Sequence, residues 1–181
     1  MGIFDRFRST GQAVADDSKN KAATSGQEAT RLIDEGHVLE AEGRLDEAMQ
    51  RYLEAIRLAP NPARGHLNRG NVLLLQGNLP GALDAFRTAL KHQPDYAGAY
   101  YNIGNALLND GKPDEAAASY RRALEIQPDY AEVHCSLGVA LQEQGKLEEA
   151  AQSHRRALAL VPDFVEAHTT LGQYPASPRT V

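Results

Sequence analysis

Residues 95–129 read DYAGAYYNIGNALLNDGKPDEAAASYRRALEIQPD, and the Pro128-Asp129 that closes this stretch repeats the Pro94-Asp95 that opens it. Worked outward, the same 34-residue step runs through Pro60, Pro94, Pro128 and Pro162. It also runs through Gly36, Gly70, Gly104, Gly138 and Gly172, and through Gly43, Gly77, Gly111 and Gly145. Ala48, Ala82, Ala116 and Ala150 keep the step, as do Ala55, Ala89, Ala123 and Ala157. So do Leu39, Leu73, Leu107 and Leu141, and the bulkier Tyr52, Phe86, Tyr120 and His154. A fixed period of this length marks a stacked array in which no unit buries its apolar face alone.

The step and the residues that keep it resemble the tetratricopeptide repeat, a helix–turn–helix unit. The phase begins at Ala29, Ala63, Ala97 and Ala131, and again at Val165 before breaking off. Departures are local: the seventh place holds Glu35 and Arg69 in the first two units, and the fourth holds His66, His134 and His168. The resemblance implies an all-α, right-handed superhelical solenoid of four repeats (29–62, 63–96, 97–130, 131–164) and a partial fifth (165–174). Residues 1–24 are then a mobile lead-in, 25–174 the array and 175–181 a tail.

Composition narrows the function. With 24% charged residues, a net charge of −5 and a pI near 5.7, the chain has no basic excess with which to hold phosphates, so nucleic acid is not expected as a partner. A single cysteine, Cys135, excludes an intrachain disulfide framework and fits a reducing compartment. MGIFDRFRST has no apolar run of the kind that directs secretion, and no stretch is apolar enough to span a membrane. A cytoplasmic location is expected. Arg6 occupies the place where a myristoylation signal carries Ser or Thr. Ile3, Phe4 and Phe7 form a small apolar cluster, read as an ill-ordered start in preference to a docking hook because seven residues are too few to hold a helix.

Local signals place the helices. Ser25-Gly26-Gln27-Glu28 has the spacing of a capping box and sets the first helix at 25–42, ended by Gly43; a partner follows over 46–58. Asn61, Asp95, Asp129 and Asp163 are expected as N-caps, giving helices at 62–76, 79–92, 96–109, 113–126, 130–144, 147–160 and 164–173. Pro80 and Pro113 lie in first turns, where no amide hydrogen is needed. Gly36, Gly70, Gly104 and Gly138 are expected to face Ala48, Ala82, Ala116 and Ala150 across each hairpin, letting the axes close. Beyond the fourth hairpin, Val165, His168 and Leu171 are expected to cover part of its end before Pro175 and Pro178 stop the helix.

By the resemblance, the second, fifth, sixth, ninth, twelfth and thirteenth places of each first helix face an inner groove. The candidate groove residues are His37, Arg64, Leu67, Asn68, Asn71, Leu74 and Leu75, followed by Tyr101, Asn102, Asn105 and Leu108. Asn68 with Asn71, and Asn102 with Asn105, form i, i+3 amide pairs. A carboxamide donates and accepts, so it can pair with the backbone of an extended segment whatever its sequence. This resembles the asparagine ladder of nucleocytoplasmic GlcNAc transferases. A clamp for a C-terminal carboxylate is not implied: the places that need Lys or Arg hold Ile33, Leu67, Gly98, Tyr101 and Asn102, with Arg64 the one basic residue.

No catalytic, metal or cofactor site is expected. The chain has no Gly-rich phosphate loop, G-x-S-x-G, H-E-x-x-H or C-x-x-C, and its histidines are not spaced to converge on one ion. Arg121-Arg122 and Arg155-Arg156, with Glu115, Glu125 and Glu149 near them, read as a solvated mixed surface. The reading is therefore a non-catalytic scaffold, binding an extended segment of a protein partner in its groove. Two alternatives accompany it: the substrate-recruiting region of a GlcNAc-transferase-like enzyme whose catalytic domain lies outside this sequence, and a self-assembly module (a homodimer) pairing through its uncapped C-terminal edge.

Overall fold

The computed structural model describes residues 23–171 apart from Pro60. The expectations placed on Ile3, Phe4, Phe7, Pro60, Gly172, Pro175 and Pro178 lie outside the described residues. Among those described, every regular element is an α-helix: α1 over 23–41, α2 Leu45–Leu58, α3 Ala63–Leu75, α4 Leu79–His92, α5 Ala97–Asn109, α6 Pro113–Ile126, α7 Ala131–Glu143, α8 Leu147–Leu160 and α9 Val165–Leu171. The chain divides into two compact units, 1–92 and 93–181. In the first, α3 packs on α4 and α2 on α3; in the second, α5 packs on α6, α7 on α6 and α8, and α9 on α8.

Four glycines make the turns. Gly43, Gly77, Gly111 and Gly145 have φ of 74°, 76°, 71° and 75°, a left-handed backbone that costs other residues steric strain. The residue after each donates its amide to the carbonyl of the repeat leucine five places back, as in Arg44 to Leu39 at 2.8 Å and Lys112 to Leu107 at 2.9 Å. Asn78 to Leu73 and Lys146 to Leu141 do the same, so the turns α1–α2, α3–α4, α5–α6 and α7–α8 are closed by one mechanism.

Within each hairpin the second set of glycines seats a ring. A methyl group added at Gly36, Gly70, Gly104 or Gly138 would stand less than 3.0 Å from ring atoms of Tyr52, Phe86, Tyr120 or His154 respectively. This corrects the expected Gly-to-Ala facing: the nearest atoms across the hairpin belong to the ring, four residues beyond the alanine. Those four rings, and the alanines at 48, 82, 116, 150, 55, 89, 123 and 157, are fully buried. The first unit's core gathers Ala29, Leu32, Ile33, Ala48, Tyr52, Ala55 and Val72 from α1, α2 and α3.

α4, α6 and α8 start at 79, 113 and 147 as expected, whereas the starts of the first helices differ from expectation. α1 is already helical at residue 23, so Ser25 lies inside it, and Glu28 accepts from the Arg31 guanidinium instead of reaching back to a cap. The residues immediately before α5 and α7 are Tyr96 and Tyr130, with no side-chain cap, which leaves Asp95 and Asp129 one place too early. Asp129 accepts from Arg156 at 2.6 Å. At α3, Pro62 stands before the helix and the Asn61 carboxamide accepts from the Ala63 amide at 3.0 Å. At the C-terminal end, Ala167 and Phe164, not Val165, pack against Cys135 and Ala157, and Val165 is 70% exposed.

Candidate peptide-binding faces

The inner positions of the first unit are largely spent on one another. Arg64 on α3 stands 3.5 Å from the Asp34 carboxylate on α1. His37 packs edge-on against the Tyr52 ring, with centroids 5.8 Å apart. The Asn68 amide nitrogen lies 3.0 Å from His37 Nε2, so that nitrogen accepts. Tyr52 donates its hydroxyl to Glu40 at 2.8 Å; burial, and then the Glu40 carboxylate, raises the phenol well above its ordinary value. Asn68 is only 5% exposed. Its placement as a groove amide is therefore corrected: it fastens α3 to α1. Asn71, Leu67 and Leu74 are half-buried, and Leu75 is 61% exposed.

The second unit offers a different surface. Tyr101, Asn102, Asn105 and Leu108 follow one another at i, i+1, i+4 and i+7 along one face of α5, and all are half-buried. Asn105 accepts from the Tyr120 hydroxyl at 2.7 Å, which leaves its amide hydrogens uncommitted by that bond. Asn71 and Asn102 also have partners of their own in the fold. Tyr101 lies between two further rings, with centroids 6.1 Å from Tyr120 and 5.4 Å from Tyr130. Burial, then Tyr101, makes the hydroxyls of Tyr120 and Tyr130 weaker acids than an ordinary phenol, so both stay protonated and able to donate. Tyr120 and Tyr130 are residues the sequence reading left out of the face, one read as a core aromatic and the other only as the start of the helix at 130–144, although both keep the repeat phase of Phe86 and Tyr96.

Cys135, at the fifth place of α7, is buried, and burial followed by the Glu166 carboxylate raises its thiol, which keeps it protonated and a poor nucleophile. His66 is half-buried and stacked parallel on His92, with centroids 5.5 Å apart; His134 lies 2.8 Å from the Pro128 carbonyl. Among the described residues no three His, Cys, Asp or Glu side chains are grouped to hold a metal, and no helix is long and apolar enough to cross a membrane.

A model of the tetratricopeptide repeat matches residues 33–97, 76–131 and 101–165, most of the chain. The protein belongs to the tetratricopeptide repeat family. Among solved structures, this member of the family is similar to MamA (residues 41 to the end) from Desulfovibrio magneticus RS-1, at 24% identity and a TM-score of 0.69, over 81% of this chain and 83% of that one. That likeness speaks to the fold. It is also similar to YrrB, described as having an unusual peptide-binding site, at 25% identity and a TM-score of 0.63, over 84% and 79% of the two chains. The first tetratricopeptide domain of Spaghetti (RPAP3), bound to the HSP90 peptide SRMEEVD, matches at 25% identity and a TM-score of 0.60, over 61% and 87%. A comparison with curated proteins found no match.

Proposed function

We propose that this tetratricopeptide repeat protein is a non-catalytic scaffold that holds an extended segment of a partner protein on its second unit, with α5 as the principal contact. One observation carries this: Tyr101, Asn102, Asn105 and Leu108 line a single helix face and stop short of burial, with Tyr130 beside them. Ring faces and an aliphatic group left to water gain by being covered, and amides can pair with a guest backbone. Two similar solved structures, one described as having a peptide-binding site and one bound to a peptide, support this reading. The transferase alternative leaned on four equivalent amides, and Asn68 is spent inside the fold, so nothing favours it over a plain scaffold.

The test is selection of a random peptide library on the intact protein and on the Tyr101→Ala/Asn102→Ala variant, with helicity followed by circular dichroism. Enrichment on the native protein should vanish on the variant at unchanged helicity. Equal enrichment on both would remove α5 from the site. Self-association through the last hairpin is a second reading, favoured by Val165 and Val161 at 70% and 45% exposure. It requires a dimer in light scattering that Val165→Asp dissolves, and a native monomer would dismiss it.

A further inference from the structure

The charges of the second unit are sorted by helix. The first helices of its hairpins, α5, α7 and the short α9, contain no Lys or Arg, and carry Glu132, Glu143 and Glu166. Among the described residues of this unit every Arg lies on the second helices, α6 and α8, and Lys112 and Lys146 stand immediately before them. Those arginines are mostly matched: Arg121 to Glu149 at 3.6 Å, Arg122 to Glu125, and Arg156 to Asp129. Glu132 and Glu143 are exposed, and among the described residues neither is in an ion pair. Glu132 follows Tyr130 by two residues, and α7, which carries both carboxylates, packs against α5. The first unit is built otherwise, its inner Asp34 being matched by Arg64.

Resting on the α5 reading above, we infer that the guest of the second unit is a cationic extended segment, with Arg or Lys side chains interleaved with apolar ones. Three features of the face fit that guest together. The ring faces of Tyr101 and Tyr130 attract a guanidinium by their negative quadrupole, in addition to any carboxylate. Glu132 and Glu143, near the two ends of α7, give each cation an acceptor without a resident arginine to displace. Leu108 and the ring edges take the apolar residues between. The same surface repels an acidic guest. The peptide SRMEEVD held by the Spaghetti domain carries two glutamates, an aspartate and a terminal carboxylate, and here α5, α7 and α9 have no cation to receive them.

The experiment is fluorescence anisotropy on the full chain with three labelled, end-blocked peptides of equal length. One alternates Arg, Leu and Ser; in the second citrulline replaces Arg; in the third Glu replaces Arg. The Arg peptide should bind tightest, and its affinity should fall several-fold from low to high salt, because exposed charges are screened. Glu132→Gln with Glu143→Gln should weaken it about fivefold and leave the citrulline peptide unchanged. Glu148→Gln with Glu149→Gln on α8 removes the same net charge elsewhere and should change nothing. If the citrulline or Glu peptide binds as well as the Arg peptide, the cationic guest is refuted while the α5 face stands. If the α8 pair weakens binding as much as the α7 pair, attraction follows net charge and the inference falls. If no peptide binds, or binding survives Tyr101→Ala, the face itself is refuted.

Discussion

At the scale of single residues, Gly104 shows what a 34-residue period can and cannot convey. Its place in the lattice marks a position that tolerates no side chain, but spacing does not say which neighbour forbids one. The neighbour is the Tyr120 ring, fully buried and fixed at its hydroxyl by Asn105. Helix propensity alone would make Gly104→Ala stabilising by about 1 kcal/mol. A ring that cannot swing aside reverses the sign, and a net loss of about 1–3 kcal/mol is expected in denaturant melts. Tyr120→Leu should reduce that loss when the two are combined, and strict additivity would mean the ring is not the obstacle. His154 is the odd member of the ring series, and burial lowers its pKa below the ordinary 6.5. The unfolded chain therefore takes up a proton at a pH where the folded one does not, so His154 costs stability as pH falls through 6.5 and costs nothing well above it. His154→Phe, with the ring that Gly70 already accommodates as Phe86, should flatten the fall of the melting temperature between neutral and mildly acid pH. An unchanged acid slope would place the proton uptake elsewhere, with His66 next, since burial and then His92 lower it too.

At the scale of elements, α4, α6 and α8 begin at 79, 113 and 147 as read, but the beginnings of α1, α3, α5 and α7 were less legible than their ends, for a physical reason. The tight turns after α1, α3, α5 and α7 need a positive-φ residue, and glycine at 43, 77, 111 and 145 announces each of them. A beginning needs only some acceptor near the first amides, and polar residues are common enough before a helix to mislead by one place. Asp95 and Asp129 were one residue early, whereas Asn78, ahead of Leu79-Pro80, accepts from the Gly81 amide at 3.0 Å and was overlooked. The two cases predict opposite outcomes from the same change. Asn78→Ala should cost about 1 kcal/mol, the usual worth of a cap. Asp95→Ala, exposed and outside any cap, should stay within about 0.5 kcal/mol of the native protein in the same melts. A loss at Asp95 equal to that at Asn78 would mean that the aspartate does cap α5 in solution. The candidate face was legible only in part: the repeat phase put Tyr101 and Leu108, both half-buried, on one side of α5, while the bond between Asn68 and His37, 31 residues apart, depends on how α1 meets α3 and leaves no trace in local spacing.

At the scale of the whole molecule, the family assignment carries an energetic consequence, because repeats are stabilised by their neighbours and not by one shared centre. Burial here is distributed accordingly: Tyr52 closes a cluster drawn from α1, α2 and α3, while Cys135, Ala157 and Ala167 close another among α7, α8 and α9. Damage to one cluster should therefore remain largely local. Tyr52→Ala empties a fully buried ring site and removes the hydroxyl donated to Glu40, a change of about 3–5 kcal/mol. Native-state hydrogen exchange is the measurement that separates the possibilities, since it reports opening segment by segment. Amides of α1, α2 and α3 should lose protection by the full amount, and those of α7 and α8 by much less. Equal losses along the chain would mean that the hairpins open as one cooperative body, and the nearest-neighbour account of this protein's stability would have to be abandoned.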